Sequence, residues 1–299
     1  MDTILGKSIG VVDETSTRTI PELLEKHEFH GSTDGLILLR LARKLLGPSY
    51  DGITASARVY DMMDAMHDYV SKCDDAQVSR GIAPLPGVLS TLNRLASEYT
   101  TDRGGDGAPS VACGLVTGNV EGIARRKMRA LGIHGTNAFT SLPSDRQIHL
   151  DGGRVVRNGV DDIRFLGGFG SDYCSACIDD PERNYLDRGE QIAICVQRCL
   201  SLWNEDGSSP SSTTPSLRKI IHVGDAPADI LAAKSYVDNP RKLAGLCVGV
   251  VGVATGSYSA EELRDLCGER VPGVWEPVVL EQGQGVGDEE AFLKACGLI

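Results

Sequence analysis

Long apolar runs are missing from this chain. No segment of its 299 residues approaches the roughly 18 consecutive apolar residues that mark a transmembrane helix. The segment Met1–Leu5 also lacks the basic region and apolar stretch of a signal peptide. These absences predict a soluble, intracellular protein. The cytoplasm is the expected compartment, with an organelle left open.

The chain has fewer basic than acidic residues. The chain has 30 Lys and Arg against 41 Asp and Glu, a formal net charge of -11 at pH 7. A surface of this sign repels nucleic acid and anionic membranes, so neither is an expected partner. An anionic small molecule would need positive groups or a metal concentrated at one place. Length and near-average composition predict a globular protein of about two domains, or one large domain with an insertion.

Two further signatures are incomplete. Cys174 and Cys177 form a CxxC motif, but no second ligand pair follows at the spacing of a zinc finger. We therefore expect the nine cysteines to be free thiols, with Cys195 and Cys199 as small buried hydrophobes one helical turn apart. Neither GxGxxG nor GxxxxGK[ST] follows a predicted strand. A nucleotide-binding module is therefore the least favoured alternative.

Short apolar runs, each followed by small or polar residues and an amphipathic stretch, are what the chain does contain. This pattern is typical of parallel α/β structure, and it predicts strands buried on both faces. The runs are Val111–Val116, Ile220–Val223 and Cys247–Val253. After the first run, residues 120–131 predict a helix that Gly132 ends.

Other segments have different patterns of apolar and polar residues. Residues 36–73 have apolar residues at helical spacing and predict a small helical domain, in which Met62, Met63 and Met66 fill the core. Residues 102–109 and 205–216 are loops by composition. Residues 141–164 are typical of a small β-hairpin insertion.

Polar residues follow two of the predicted strands, where open α/β sheets bind ligands. Thr117 ends the first strand, and we expect the next helix to begin at Gly118–Asn119. A hydroxyl, unpaired backbone N–H groups and the positive helix end would then converge on an anion such as phosphate. Asp225 and Asp229 follow the second strand and suit magnesium. Each motif alone also has an ordinary explanation, as a helix N-cap or a turn residue.

Together and in this order, the motifs make nearly the whole chain resemble the haloacid dehalogenase-like (HAD-like) phosphohydrolases, particularly the phosphoglycolate-phosphatase-like branch. The most specific match is Leu115–Asn119 followed by Ala124, Lys127, Leu131 and Gly132, which is similar to the second motif of that family. Three further matches lie in the C-terminal part. Residues 167–172 with Asp187–Arg188 are similar to the third motif, Gly224–Asp225 with Asp229 to the fourth, and 253–263 to the strand and loop that follow it. Phe29–Asp34 and Leu85–Val88 are similar to the two borders of a cap.

The resemblance implies a Rossmann-like parallel sheet with helices on both faces and a small all-α cap. Residues 1–28 would be an N-terminal remnant of the core with a linker, 29–84 the cap and 85–299 the core. The core would carry insertions near 102–109, 141–164 and 205–216. The implied activity is magnesium-dependent hydrolysis of a small phosphorylated metabolite through an aspartyl-phosphate. The natural substrate and the oligomeric state stay open, and dehalogenase or phosphomutase chemistry is possible on the same fold.

The resemblance also implies roles for individual residues. Thr117 would hydrogen-bond the phosphoryl group, assisted by the backbone N–H of Gly118 or Asn119. Arg188 would stand in for the usual Lys; Lys127 is the other basic candidate, but its place further along a helix predicts that it faces solvent. Asp225 would bind Mg²⁺ directly. Asp229 would bind it directly or through water.

The first motif of the family, Asp-x-Asp-Gly-Thr, has no intact copy here. Asp2–Leu5 resembles its remnant, with Asp2 in the place of the acid/base, although an ordinary polar terminal residue is an equally good interpretation. The nucleophilic Asp would then precede residue 1, through a misplaced start or a real loss. Without the first strand we expect two unpaired strand edges and low stability. The alternative function is a catalytically inactive phosphate-binding or regulatory protein.

Overall fold

A computed structural model of the chain describes residues 32–47, 52–100, 111–141, 165–204 and 217–299. Asp2 and the whole segment 1–28 lie outside the described residues. So do the predicted loops 102–109 and 205–216 and, except for Ser141, the predicted hairpin 141–164.

The N-terminal described region is helical, as predicted for residues 36–73. It contains α1 (Asp34–Leu46), α2 (Gly52–Val70) and the short α3 (Asp75–Val78). Helix α1 begins after Thr33, whose side chain accepts the N–H of Leu36 at 3.4 Å as an N-cap. The apolar faces of α1 and α2 form one core that includes Met62, Met63 and Met66. The prediction that these methionines fill a core is confirmed.

The next elements are α4 (Val88–Leu95), which continues as a wider π-helical turn (Ala96–Thr100), then β1 (Leu115–Thr117), α5 (Glu121–Ala130), a 3-10 turn (His134–Thr136) and β2 (Gly167–Phe169). Strand β1 is shorter than the predicted Val111–Val116 and lies further along the chain, because it pairs only over the three residues that face β2. Helix α5 ends before Gly132, as predicted. That glycine has a φ of +72°, which favours glycine.

The C-terminal elements alternate between helices and strands. They are α6 (Arg183–Asn204), β3 (Lys219–Gly224), α7 (Pro227–Val237), β4 (Cys247–Gly252), α8 (Ala260–Cys267), β5 (Trp275–Val279) and α9 (Glu289–Ala295). Strand β4 is buried along its whole length. This confirms the prediction of a strand covered on both faces.

The described strands form two small parallel sheets within a mixed α/β fold. One pairs β1 with β2, and the other has the order β3-β4-β5. In the described part of the chain, β1 and β3 are therefore edge strands. Helix α6 packs on both strands of the first sheet and along α7, which covers β3 and β4. Val116 of β1 packs against the same apolar cluster as Ile192 of α6 and Val248 of β4.

The opposite face of the second sheet is covered by a separate apolar cluster, to which α4 and α9 contribute Leu95 and Phe292. All nine cysteines are free thiols. None of the helices in the described ranges is both long and apolar enough to cross a membrane.

Candidate functional site

The turn after β1 begins with Thr117. Its hydroxyl oxygen accepts the N–H of Asn119 at 3.2 Å, and the N–H of Val120 is accepted by Asp34 Oδ2 at 2.9 Å. The N–H of Glu121 donates to Ser171 Oγ at 3.1 Å. Helix α5 begins at Glu121 and not at Gly118–Asn119 as expected. The expectation of unpaired N–H groups is also wrong for Asn119, Val120 and Glu121, whose N–H groups all have acceptors.

The turn has further donors. The N–H of Leu115 in β1 donates to Leu166 O, whereas no described residue accepts the N–H of Gly118. The carbonyl oxygen of Gly118 accepts the N–H of Asp34 at 2.8 Å and lies close to Gly170, the residue after β2. The hydroxyl proton of Thr117 and the N–H of Gly118 are thus the donors that this turn can direct to an anion.

Asp34, in the first turn of α1, is a site residue that our sequence reasoning missed. Its Oδ1 accepts Asn119 Nδ2 at 3.0 Å, and its Oδ2 accepts the N–H of Val120. Burial raises the pKa of Asp34, although these hydrogen bonds and the positive charges of Lys127 and Arg188 act in the opposite direction. The available signal was local: Thr33 and Asp34 form a helix N-cap and an acidic first turn.

Lys127 lies two helical turns after Asn119. Its ammonium group donates to Asn119 Oδ1 at 2.9 Å, and its charge lowers the pKa of Asp34. The expectation that Lys127 faces solvent is therefore wrong. A long side chain on a helix points back towards the N-terminus, which brings this ammonium group to the turn.

Arg188, in α6, connects the carboxyl ends of β1 and β3. One terminal nitrogen, Nη1, donates to Asp229 Oδ1 at 2.9 Å. The other, Nη2, lies 3.4 Å from the position that a Cβ would occupy on Gly118. The side chains of Arg188 and Asp229 are only 14% and 8% exposed. One guanidinium group thus connects the turn after β1 to helix α7, which follows β3.

Asp229 is held by protein donors on both of its carboxylate oxygens. His222 Nε2 lies 3.5 Å from Oδ1, and the N–H of Ala226 donates to Oδ2 at 3.3 Å. Burial alone would raise the pKa of Asp229, but His222, Arg188 and the N–H of Ala226 outweigh burial and lower the pKa to about 2. Sequence reasoning also missed His222, which was hidden inside an apolar strand pattern.

The implied magnesium fits these residues only in part. Asp225 is exposed in the loop after β3, and its Oδ2 lies 2.5 Å from the position that a Cβ would occupy on Gly256. An exposed carboxylate of this kind suits a hard cation. Asp229, with both oxygens engaged, fits the role of anchoring Arg188 better than that of a direct ligand. Over the described ranges, no group of three or more His, Cys, Asp or Glu is placed to hold a metal ion.

The structure brings most of the predicted site residues to one place. Thr117, Gly118, Asn119 and Lys127 meet around the turn, and Arg188 joins this turn to Asp229. Asp225 lies in the loop at the carboxyl end of β3, between this strand and the helix that carries Asp229. No protein-family model, curated protein or solved structure matches the chain.

Proposed function

We propose that this chain is a HAD-like phosphohydrolase that hydrolyses a small phosphomonoester with the help of magnesium. One observation carries the proposal: Arg188 reaches from the Thr117–Gly118 turn to Asp229, and Lys127 contacts Asn119 of the same turn. In a protein with a net charge of -11, two cationic groups at the carboxyl ends of parallel strands suit a phosphate group.

In this proposal each residue has a distinct task. The Thr117 hydroxyl and the Gly118 N–H donate to phosphoryl oxygens, and Arg188 and Lys127 neutralise their charge. Asp229, charged at neutral pH because its pKa is about 2, orients the guanidinium of Arg188. Asp225 would be a magnesium ligand. When bound, the metal would add further positive charge beside the phosphate.

The covalent step needs a carboxylate nucleophile. The oxygens of Asp34 and Asp229 already accept hydrogen bonds from protein donors, so neither suits this task. The resemblance assigns this step to the first Asp of the Asp-x-Asp-Gly-Thr motif, of which Asp2 would be the second Asp. An oxygen of the first Asp would bond to phosphorus as the ester P–O bond breaks, and Asp2 would protonate the departing alcohol. Water would then cleave the aspartyl-phosphate and release phosphate.

The alternative is a phosphate-binding or regulatory protein without catalysis. Two observations favour this alternative. Both oxygens of Asp229 accept hydrogen bonds from protein donors, and the described ranges contain no group of three or more His, Cys, Asp or Glu placed to hold a metal ion. In this alternative the turn, Arg188 and Lys127 keep the same tasks. The two functions therefore differ in turnover and agree in phosphate binding.

The test begins with calorimetric titration of the whole chain with inorganic phosphate. We expect Arg188→Ala to weaken binding by at least about tenfold, since it removes a charge-assisted contact. The matched control is Arg241→Ala, which removes an exposed guanidinium paired with Glu190 and should bind like the wild type. A wild type that does not bind phosphate would rule out both functions.

Hydrolysis of p-nitrophenyl phosphate by a protein that carries the first Asp of the Asp-x-Asp-Gly-Thr motif upstream of Asp2 then separates the two functions. The enzyme predicts turnover that requires Mg²⁺ and collapses on Asp225→Ala. Phosphate binding without turnover by this extended protein would favour the non-catalytic protein.

A further inference from the structure

We propose that Asp34 is a positioning residue that clamps the turn at residues 117–120 to the first turn of α1, so that anion binding and the α1–α2 helix pair are coupled. The inference rests on the proposed phosphate site and adds a regulatory connection to it.

The clamp has two directions. Asp34 donates its own N–H to Gly118 O at 2.8 Å, and its carboxylate accepts from Asn119 Nδ2 and from the N–H of Val120. Three consecutive residues of the turn are thus fixed by one residue of α1. A carboxylate suits this position because it offers acceptors on both oxygens.

The two backbones also touch. A Cβ on Gly118 would lie 2.8 Å from Thr33 Cα and 2.9 Å from Ser32 O, so only glycine allows this approach. Because contacts this close are between backbone atoms, the start of α1 and the turn have little freedom to shift independently.

Asn119 extends the clamp to a cationic group. Its side-chain amide donates to Asp34, while its carbonyl oxygen accepts from Lys127 Nζ. An amide has one donor end and one acceptor end. The acceptor at Asp34 therefore decides which end of Asn119 meets Lys127. With Asp34 replaced by Asn, the donor end of Asn119 loses its charged partner, and the contact that orients Asn119 towards Lys127 is weakened.

The other side of the clamp leads into the helix pair. Leu36 and Leu39 of α1 are completely buried, and they belong to the same apolar core as Val59 and Met62 of α2. The same core includes Val120 of the turn and Ile123 of α5, so the turn and the helix pair are packed together as well as hydrogen-bonded. An anion that changes the position of the turn therefore acts on the pair through Asp34 and through this core, and by linkage the pair acts on anion binding.

The experiment titrates wild type, Asp34→Asn and Asp179→Asn with inorganic phosphate at pH 7. Electrostatics alone predicts tighter binding by Asp34→Asn, because a negative charge beside the site is lost. The clamp predicts binding at least about tenfold weaker. Asp179→Asn is the matched control, since Asp179 pairs with Arg43 of the same helix in an exposed position, and it should bind like the wild type.

Hydrogen exchange of the wild type supplies a second measurement that does not depend on the variant folding. Phosphate should slow amide exchange at residues 118–121 and also in the first turn of α1 and in α2. Protection confined to the turn would overturn the coupling, as would unchanged or tighter phosphate binding by a folded Asp34→Asn. Failure of the wild type to bind phosphate would instead remove the site itself, and the inference with it.

Discussion

The buried carboxylates Asp187 and Asp229 have pKa values displaced in opposite directions, and their partners explain the difference. Asp229 has Arg188 and His222 within reach, and its pKa falls to about 2. Asp187, one residue before Arg188 and fully buried, accepts from two neutral donors, the N–H and the hydroxyl of Ser175, at 3.0 Å and 3.1 Å. Burial raises the pKa of Asp187 to about 6, because those two hydrogen bonds do not offset the loss of water.

Asp187 therefore makes the stability of the fold depend on pH. Its folded-state pKa of about 6 lies above the ordinary value of 3.8, so the folded state binds the proton more tightly. Between about pH 4 and pH 6 the contribution of Asp187 to the free energy of unfolding falls as pH rises. We expect Asp187→Asn to gain up to about 3 kcal/mol relative to wild type between pH 4 and pH 7.

Urea denaturation of both proteins across this pH range measures the difference, and the other titrating groups cancel in the comparison. Curves for wild type and Asp187→Asn that stay parallel from pH 4 to pH 7 would show that Asp187 titrates normally in the folded protein.

At the scale of elements, α6 is held to the first sheet by a buried ion pair. Arg198 donates to both oxygens of Asp172, at 2.6 Å and 2.7 Å, and also to Gly167 O in β2 at 2.9 Å. Asp172 in turn accepts the N–H of Phe169 at 2.9 Å. The two side chains are 13% and 7% exposed. Removal of one partner leaves a buried charge without compensation.

We expect Asp172→Asn to lower the free energy of unfolding by about 3–5 kcal/mol, the usual cost of breaking a buried pair. Asp179→Asn breaks a pair whose side chains are 36% and 66% exposed, and it should cost less than about 1 kcal/mol. Chemical denaturation followed by circular dichroism gives both values. Equal losses in the two variants would mean that burial does not set the strength of the Asp172–Arg198 pair.

Elements with a strong local pattern could be predicted from the sequence. The helix that ends before Gly132 and the wholly apolar strand β4 are two examples, because their apolar spacing is a property of the segment alone. The first and last residues of β1 could not be predicted in this way, because they depend on the three residues of β2 that pair with it. Neither could the continuity of the sheet, because no local pattern states which strands are neighbours.

The site shows the same division. Thr117, Arg188 and Asp229 were predicted from motifs, and the structure places them together. Asp34 was missed because its partners are 85 and 86 residues away in sequence. The direction of Lys127 was mispredicted because it depends on an acceptor two helical turns earlier. Partners brought together by folding were thus the part that sequence reasoning could not supply.

At the scale of the whole molecule, α6 is the element that the two described sheets share. Ile192 of α6 is 3% exposed and packs in the cluster that contains Ile230 of α7 and Val248 of β4. Val116 of β1 packs against that cluster from the other sheet. No strand pairing joins the two sheets in the described ranges, and we expect α6 to couple their stabilities through this cluster.

Ile192→Ala should therefore lower the stability of both sheets together. Truncation of a buried Ile to Ala costs about 2–5 kcal/mol, and we expect amide exchange in β1–β2 and in β3–β5 to speed up by the same factor. Leu36→Ala is the control, because Leu36 lies in the core of α1 and α2, and its effect should be largest there. If Ile192→Ala exposed the first sheet while the second kept its protection, the two sheets would be independent folding units. The Arg188 bridge would then join parts that open separately, and phosphate affinity should follow the stability of the first sheet alone.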